Sequence, residues 1–395
     1  MNRKIIISIN TAWNIYNFRS GLIRALTQHG YEVVALAPRD DYAHRLPALG
    51  CRFIDLPMDS NGTHPGRDLA LLIRYFRVLR EERPLAYLGY TVKPNVYGSM
   101  AAQLLHIPVI NNIAGLGTTF INNSFLTRIV RMLYRVSLQR SGRIFFQNAD
   151  DQKLFIESQL VQPDRTDRLP GSGMDLSRYQ PSPPLPPYGR PFVFLLVSRM
   201  LKDKGIEEFA GAARIVRQGF PNVEFRLLGF VDSANSNSIS MEQIRAWEEA
   251  GTVRYLGQTD DVRPHLSASD CVVLPSYREG IPRSLLEAAA MARPIITTDT
   301  VGCRDVVDHK VNGLLCKVRD TLDLAEKMNQ MLRLPPATRM EMGMAGRRKV
   351  EAQFDEKEVI QKYLNAINDL AGAAPRPGEH IGRLVPVSGS DTRKP

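Results

Sequence analysis

Cysteine, tryptophan and long apolar runs are all scarce in this 395-residue sequence, and each shortage narrows what it can do. The four cysteines, Cys51, Cys271, Cys303 and Cys316, stand far apart with no Cys-x-x-Cys pair, and Cys271 falls inside an apolar stretch. A disulfide framework is therefore not expected, and reduced, buried thiols are. The seven histidines form no His-x-x-x-His or His-Glu-x-x-His pattern, and no Asp-x-Asp triplet occurs, so no metal is expected. The longest purely apolar runs, such as FVFLLV at 192–197, fall far short of the roughly 20 residues a membrane-spanning helix needs. The opening MNRKIIISIN reads as a first strand rather than a secretory leader, so a cytoplasmic chain is expected. No Gly-x-Gly-x-x-Gly follows that strand, which argues against a dinucleotide-dependent oxidoreductase.

What is present is ordinary in amount and uneven in place. Hydrophobic residues make up 44% and charged residues 23%, the composition of a globular protein. Residues 1–170 hold 21 Lys and Arg against 13 Asp and Glu, a net of +8, whereas the remaining 225 carry a net of only +2. A basic first half suits an anionic lipid surface, nucleic acid or a phosphorylated substrate. The basic stretches carry no helix-turn-helix, finger or RNA-recognition pattern, so no nucleic-acid partner is expected.

The length suggests two domains. Residues 1–170 alternate strand-like and helix-like segments: KIIISI, GLIRALTQHG, YEVVALAP, CRFIDLP, DLALLIRYFRVLREERP, LAYLGYT, NVYGSMAAQLLH and IPVINNIAG. A stretch with six prolines, 171–191, breaks either periodicity and reads as a linker. A second βα series occupies 192–355, and EKEVIQKYLNAINDLAG gives a closing helix over 356–372 that is expected to cross back to the first domain. Residues 373–395 turn to Pro, Gly, Ser and Arg and read as a disordered tail. The fold class is α/β, with two Rossmann-like domains facing across a cleft.

Within SDCVVLPSYREGIPRSLLEA, a short buried strand runs into a Gly-Ile-Pro turn and then a helix, with Glu279 before the turn and Glu287 inside the helix. Pro282 suits the first helical position, and the free N–H groups of Arg283 and Ser284 favour an anion there. Glu287 lies one turn past Arg283 and is placed to take two vicinal hydroxyls, as a ribose offers; Glu279 is placed to reach a group beyond the phosphates. The same spacing equally suits two solvated surface charges. A second cluster, Arg199 and Lys204 after the strand FVFLLVS, puts two cations at the ligand-facing edge of the same unit, where they would neutralise a diphosphate. Together the four residues describe a nucleotide-sugar site.

Five motifs in order, from Arg199 with DKG through LLG at 227–229, YLGQTDDV, the Glu279 and Glu287 segment and VGCRDVV with NGLL, resemble the retaining family-4 glycosyltransferases of GT-B fold. The resemblance covers almost the whole second domain. It implies that Arg199 and Lys204 hold the donor diphosphate, Glu279 the donor-sugar hydroxyls and Glu287 the ribose. Leu256 and Gly257 would line the base, and Gly280 and Ile281 would offer backbone N–H groups, with Ser284 also at the donor. The expected donor is a UDP-sugar, a substrate rather than a cofactor.

In the first half, GYTVKPNVYGSMAAQLLHIPVINNIAGLGTTF looks like the subgroup that extends undecaprenyl-diphosphate-linked sugars in bacterial glycan and polysaccharide assembly. Lys93 is placed to meet an acceptor phosphate, Asn95 and Asn111 to hold hydroxyls, and Gly115 and Gly117 to allow close approach; a turn and helix cap explain Lys93 and Asn95 as well. Asn17, Phe18 and Arg19 occupy the position of a glycine-rich loop, and Asn17 and Arg19 are taken as acceptor-side residues. Where many family members have a histidine, this chain has Ala114-Gly115, so retention is expected by same-face attack, with the departing phosphate taking the acceptor proton. Leu126, Ile129, Leu133 and Val136, among Arg128, Arg131, Arg135, Arg140 and Arg143, form a basic amphipathic helix suited to an anionic membrane surface or to ordinary packing. The expected protein is a metal-independent hexosyltransferase on the inner face of the cell membrane. It would move an N-acetylated hexose to a polyprenyl-diphosphate-linked saccharide. The alternatives are a soluble-acceptor enzyme or an epimerase on the same plan.

Overall fold

The computed structural model describes residues 3–59, 64–115, 125–183, 185–186, 189–233 and 235–373. Gly117 and most of the expected disordered tail lie outside them.

The first half builds β1 (Lys4–Ser8), α1 (Ala12–Gln28), β2 (Glu32–Ala37), β3 (Cys51–Asp55), α2 (Pro65–Glu82), β4 (Ala86–Tyr90), α3 (Ser99–Leu104), β5 (Val109–Ile113), α4 (Phe125–Leu138), β6 (Arg143–Phe146), α5 (Ala149–Glu157) and β7 (Thr166–Arg168). Its strands form one parallel sheet in the order β3-β2-β1-β4-β5-β6-β7. Runs such as KIIIS and VINNI are buried along their length because helices cover both faces of a parallel sheet. Thr11 starts α1 by accepting a hydrogen bond from the Asn14 N–H at 3.1 Å, directly after β1. No glycine-rich loop intervenes.

The second half adds β8 (Phe192–Val197), α6 (Ile206–Gly219), β9 (Val223–Leu228), α7 (Met241–Glu249), β10 (Arg254–Tyr255), α8 (Arg263–Ser267), β11 (Cys271–Leu274), α9 (Arg283–Ala290), β12 (Ile295–Thr298), α10 (Cys303–Val306), β13 (Gly313–Cys316), α11 (Thr321–Arg333) and α12 (Pro336–Gln353). Its parallel sheet runs β10-β9-β8-β11-β12-β13. The last helix, α13 (Glu356–Ala373), leaves this half and buries Val359, Tyr363 and Ile367 in the first domain's core beside Ile15 and Leu22. Tyr363 also accepts a hydrogen bond from Asn112 Nδ2 at 2.9 Å.

In each sheet the strand order reverses once, between β1 and β4 and between β8 and β11, and ligands of such sheets sit outside the strand C-termini at that point. Those two edges face each other here. An added Cβ on Gly115, just after β5, would come within 2.9 Å of the Gly280 nitrogen, beyond β11. Asp260, past β10, takes hydrogen bonds from Tyr42 and Arg45, which follow β2. The segment 171–191 is no free tether: Met174 and Tyr179 are buried in the second domain's core. Each of the four cysteines is free and buried.

Candidate active site

The donor-side cluster begins with a glycine. Gly205 has φ +72°, and an added Cβ would lie 2.2 Å from the Pro275 carbonyl oxygen. Only glycine lets the loop after β8 lie against the residues after β11 in this way. That approach brings Lys204 Nζ to 2.5 Å from Glu279 Oε1, with both side chains about 15% exposed. Ser276 donates to the same oxygen at 2.8 Å. The other cation, Arg199, is exposed, and its guanidinium has no partner among the described residues. One held cation and one open cation thus stand at the switch point of the second sheet, beside a carboxylate that accepts two bonds on one oxygen. Among the described residues no cluster of three or more His, Cys, Asp or Glu could hold a metal ion.

Pro282 is the cap of α9 rather than its first residue, with φ −71° and ψ 116°, and its carbonyl accepts from Leu285 and Leu286. The N–H groups of Arg283 and Ser284 therefore stand at the helix start. Glu287, a turn further, is 8% exposed. Its Oε1 accepts from Tyr179 Oη at 3.0 Å and from Arg283 Nε at 3.2 Å, while Oε2 has no partner among the described residues. Burial and the neighbouring Glu287 carboxylate push the Tyr179 hydroxyl well above its ordinary pKa, so it stays a donor. Arg283 also donates to Ser172 Oγ and the Gly173 carbonyl, which ties the linker to α9. The sequence pattern showed Glu287 but not the tyrosine and arginine that fix it. Leu256 packs on the core beneath, and Gly257 follows with φ +72° and its carbonyl bonded to Gly229 N–H at 2.8 Å.

Several expectations for the first domain need correction. Asn95 and Asn111 are 1% and 0% exposed. Asn111 Nδ2 donates to Asn95 Oδ1 and Ser99 Oγ, its Oδ1 accepts from Ser141, and Asn95 Nδ2 donates to the Asn112 carbonyl. A network this complete holds β5 to the turn at Pro94–Gly98 and leaves neither amide for a saccharide. Arg19 lies within α1, 5% exposed, over the Tyr90 ring at 4.4 Å, with Nη1 on the Phe18 carbonyl and Nε without a partner among the described residues. It is buried at the first sheet's switch point rather than open to an acceptor. Asn17 bonds back to the Trp13 carbonyl. Lys93 is held by Asp68 at 2.8 Å and lines a cavity. Gly115, with φ +116°, makes its close approach to Gly280. The Ile281 N–H is also not offered to a ligand: it donates to Gln147 Oε1 at 3.1 Å.

That last bond belongs to a strap that sequence reasoning missed. Between β6 and α5, Gln147 takes the Ile281 N–H and Asn148 donates to the Gly280 carbonyl at 3.1 Å, and Asp151 in the first turn of α5 pairs with Arg278. Asp151 is fully buried; burial raises its pKa, and the Arg278 charge opposes that rise. Three contacts from one domain therefore grip the donor-side turn of the other. Asn148 caps α5 through the Asp151 N–H, the one local signal of the segment's shape.

Comparison with known proteins identifies the family of both halves. The glycosyl transferase 4-like domain matches residues 18–171 and the glycosyl transferases group 1 domain residues 191–333. The chain belongs to these glycosyltransferases of GT-B fold. It is 28% identical over 368 residues, 89% of this chain and 94% of the other, to N,N'-diacetylbacillosaminyl-diphospho-undecaprenol alpha-1,3-N-acetylgalactosaminyltransferase of Campylobacter jejuni. It is 24% identical over 265 residues, 64% of this chain and 68% of the other, to UDP-Gal:alpha-D-GlcNAc-diphosphoundecaprenol alpha-1,3-galactosyltransferase of Escherichia coli. In fold it is similar to the sucrose-phosphate synthase of Thermosynechococcus elongatus (TM-score 0.77, 19% identity, 94% of this chain and 100% of the other). It is likewise similar to Anabaena HepE in complex with UDP and glucose (TM-score 0.77, 17% identity, 93% and 99%).

Proposed function

We propose that this glycosyltransferase moves an N-acetylated hexose from a UDP-sugar to a saccharide carried on polyprenyl diphosphate, with retention and without a metal, at the inner face of the cell membrane. The observation that carries the reading is the grouping of Arg199, Lys204, Glu279 and Glu287 along one edge of the second sheet. Arg199 and Lys204 bind the diphosphate and balance the charge it gains on leaving, the part a divalent ion would otherwise play. Glu287 Oε2 takes ribose hydroxyls, the Arg283 and Ser284 N–H groups face phosphate, and Glu279 orients the sugar. The acceptor hydroxyl oxygen forms its bond to the anomeric carbon on the face from which UDP departs, the bond to the β-phosphate oxygen breaks, and the hydroxyl proton passes to that oxygen. Directly after β5 the sequence has Ala114-Gly115 where many family members have a histidine, which supports a route without a covalent intermediate. The acceptor class draws support from the two bacterial relatives, both of which carry undecaprenyl-diphosphate sugars in their names.

Membrane docking draws support from helix faces in the first domain. On α4, Val130, Tyr134 and Leu138 turn inward, leaving Ile129, Met132 and Val136 exposed beside Arg128 and Arg135. No described helix is long and apolar enough to cross a membrane. The test is turnover of UDP-GlcNAc, UDP-GalNAc and UDP-Gal in EDTA, with a polyprenyl-diphosphate-linked saccharide and with the free saccharide, and product configuration read by NMR. An α-linked lipid product from one UDP-sugar is expected. Equal use of the free saccharide would make this a soluble-acceptor enzyme, conversion of the UDP-sugar alone would make it an epimerase, and an inverted product would sink the same-face mechanism.

A further inference from the structure

A cavity of about 650 Å³ opens at the C-terminal ends of β2 and β3, beside the start of α2. Four cations line it: Arg39, Arg67, Arg74 and Lys93. Three carboxylates hold them in place: Asp55 lies 3.7 Å from Arg39, Asp59 is 3.2 Å from Arg67, and Asp68 is 2.8 Å from Lys93. Arg74 is held by the Pro57 carbonyl at 2.8 Å. These contacts orient the arms without using them up. A guanidinium carries five N–H donors. Arg67 and Arg74 each spend one side-chain donor, and the Arg39 side chain spends none within hydrogen-bonding distance among the described residues. The lining includes no aromatic ring besides His64 for a base to stack on.

The cavity also has an apolar side: Pro57, Met58, Ala70 and Leu71 line it, and Val92, next to Lys93, is 49% exposed. A pocket with four cations and an apolar side fits an amphiphile with a phosphorylated head. We propose that this cavity binds the diphosphate of the polyprenyl acceptor, gripped by Arg39, Arg67, Arg74 and Lys93, with the isoprenoid chain leaving over Met58 and Val92. The proposal rests on the lipid-diphosphate acceptor reading and adds the residues that hold it.

The test titrates the full chain with farnesyl diphosphate, farnesol and inorganic pyrophosphate by calorimetry, with UDP titrated on the same samples. Farnesyl diphosphate is expected to bind the native protein more tightly than either of its parts. Arg67→Gln with Arg74→Gln should weaken it by about tenfold or more, as expected for losing two charge-assisted contacts, and leave UDP unchanged. Met58→Gln with Val92→Gln should weaken farnesyl diphosphate but not pyrophosphate. If the native protein binds UDP but not farnesyl diphosphate, the lipid-diphosphate reading falls and this assignment with it. If it binds and the arginine pair makes no difference, the cavity assignment alone falls. It falls too if the arginine variant loses UDP in step, since the arginines then serve the fold. Phosphatidylglycerol vesicle binding is the last arm: a loss there with farnesyl diphosphate affinity intact would give the arginines to the membrane surface instead.

Discussion

Single residues decide whether the donor side works. Lys204 is fixed by a glycine that no other residue can replace and by an ion pair with Glu279, so its ammonium is pre-positioned before any donor arrives. A donor diphosphate would draw that charge from Glu279 toward phosphate and free the carboxylate for sugar hydroxyls. Lys204→Met should therefore lower kcat by roughly 10²–10³-fold, the range for removing one pre-organised charge donor from a transition state. Steady-state kinetics at saturating UDP-sugar check this, and a loss confined to KM would mean that Lys204 merely binds. The two glutamates were legible in the sequence because a β-branched strand, a Gly-Pro turn and a run of helix formers fix where each carboxylate falls. The roles of Asn95 and Asn111 were not. A parallel strand buried on both faces has no alternation to mark Asn111 as an inward-facing amide, and nothing local marks Asn95, in the turn before α3, as its partner, so their polar character suggested a ligand where the structure has a closed network.

At the scale of elements, the strap between β6 and α5 is the part the sequence concealed. RIFF is four residues and β7 only TDR, too short and, in β7, too polar for any periodicity to register. Nothing local in Gln147, Asn148 and Asp151 points to a partner turn some 130 positions later. Yet these side chains fix the backbone between Arg278 and Ile281, where the donor sugar would lie. Arg278→Ala would leave Asp151 fully buried with no counter-charge, a change that typically costs about 3–5 kcal/mol. The sign follows from the direction of its shift. The folded-state pKa of Asp151 is already raised, and losing Arg278 raises it further, so the penalty is present in full at alkaline pH and recedes as pH falls through that raised value. Denaturant melts of the native protein and the variant should differ strongly at pH 8 and much less at pH 5. A gap independent of pH would assign the loss to packing rather than to the buried charge.

For the whole molecule, two sheets point their C-terminal edges at each other, and what joins them differs from centre to rim. The centre is backbone on backbone at Gly115 and Gly280, reinforced by the buried strap, and α13 returns across to lie on α1. The rim contact is lighter: Arg45 sits 3.1 Å from Asp260, with the two side chains 38% and 61% exposed. Tyr42 bonds to the same carboxylate; burial first, then that neighbour, pushes its hydroxyl pKa up to about 12. Exposed pairs of this kind contribute about 0–1 kcal/mol and weaken with salt. Such a contact cannot hold the cleft shut alone, but it can bias a closed arrangement that the donor also favours. Asp260→Asn should therefore raise the donor KM by at most about fivefold, the factor that 1 kcal/mol commands, and leave kcat unchanged. High salt should raise the native KM toward the variant's and move the variant little. A fall in kcat would instead place Asp260 in the chemistry, and an unchanged KM at low salt would mean that the rim contact does not bias closure.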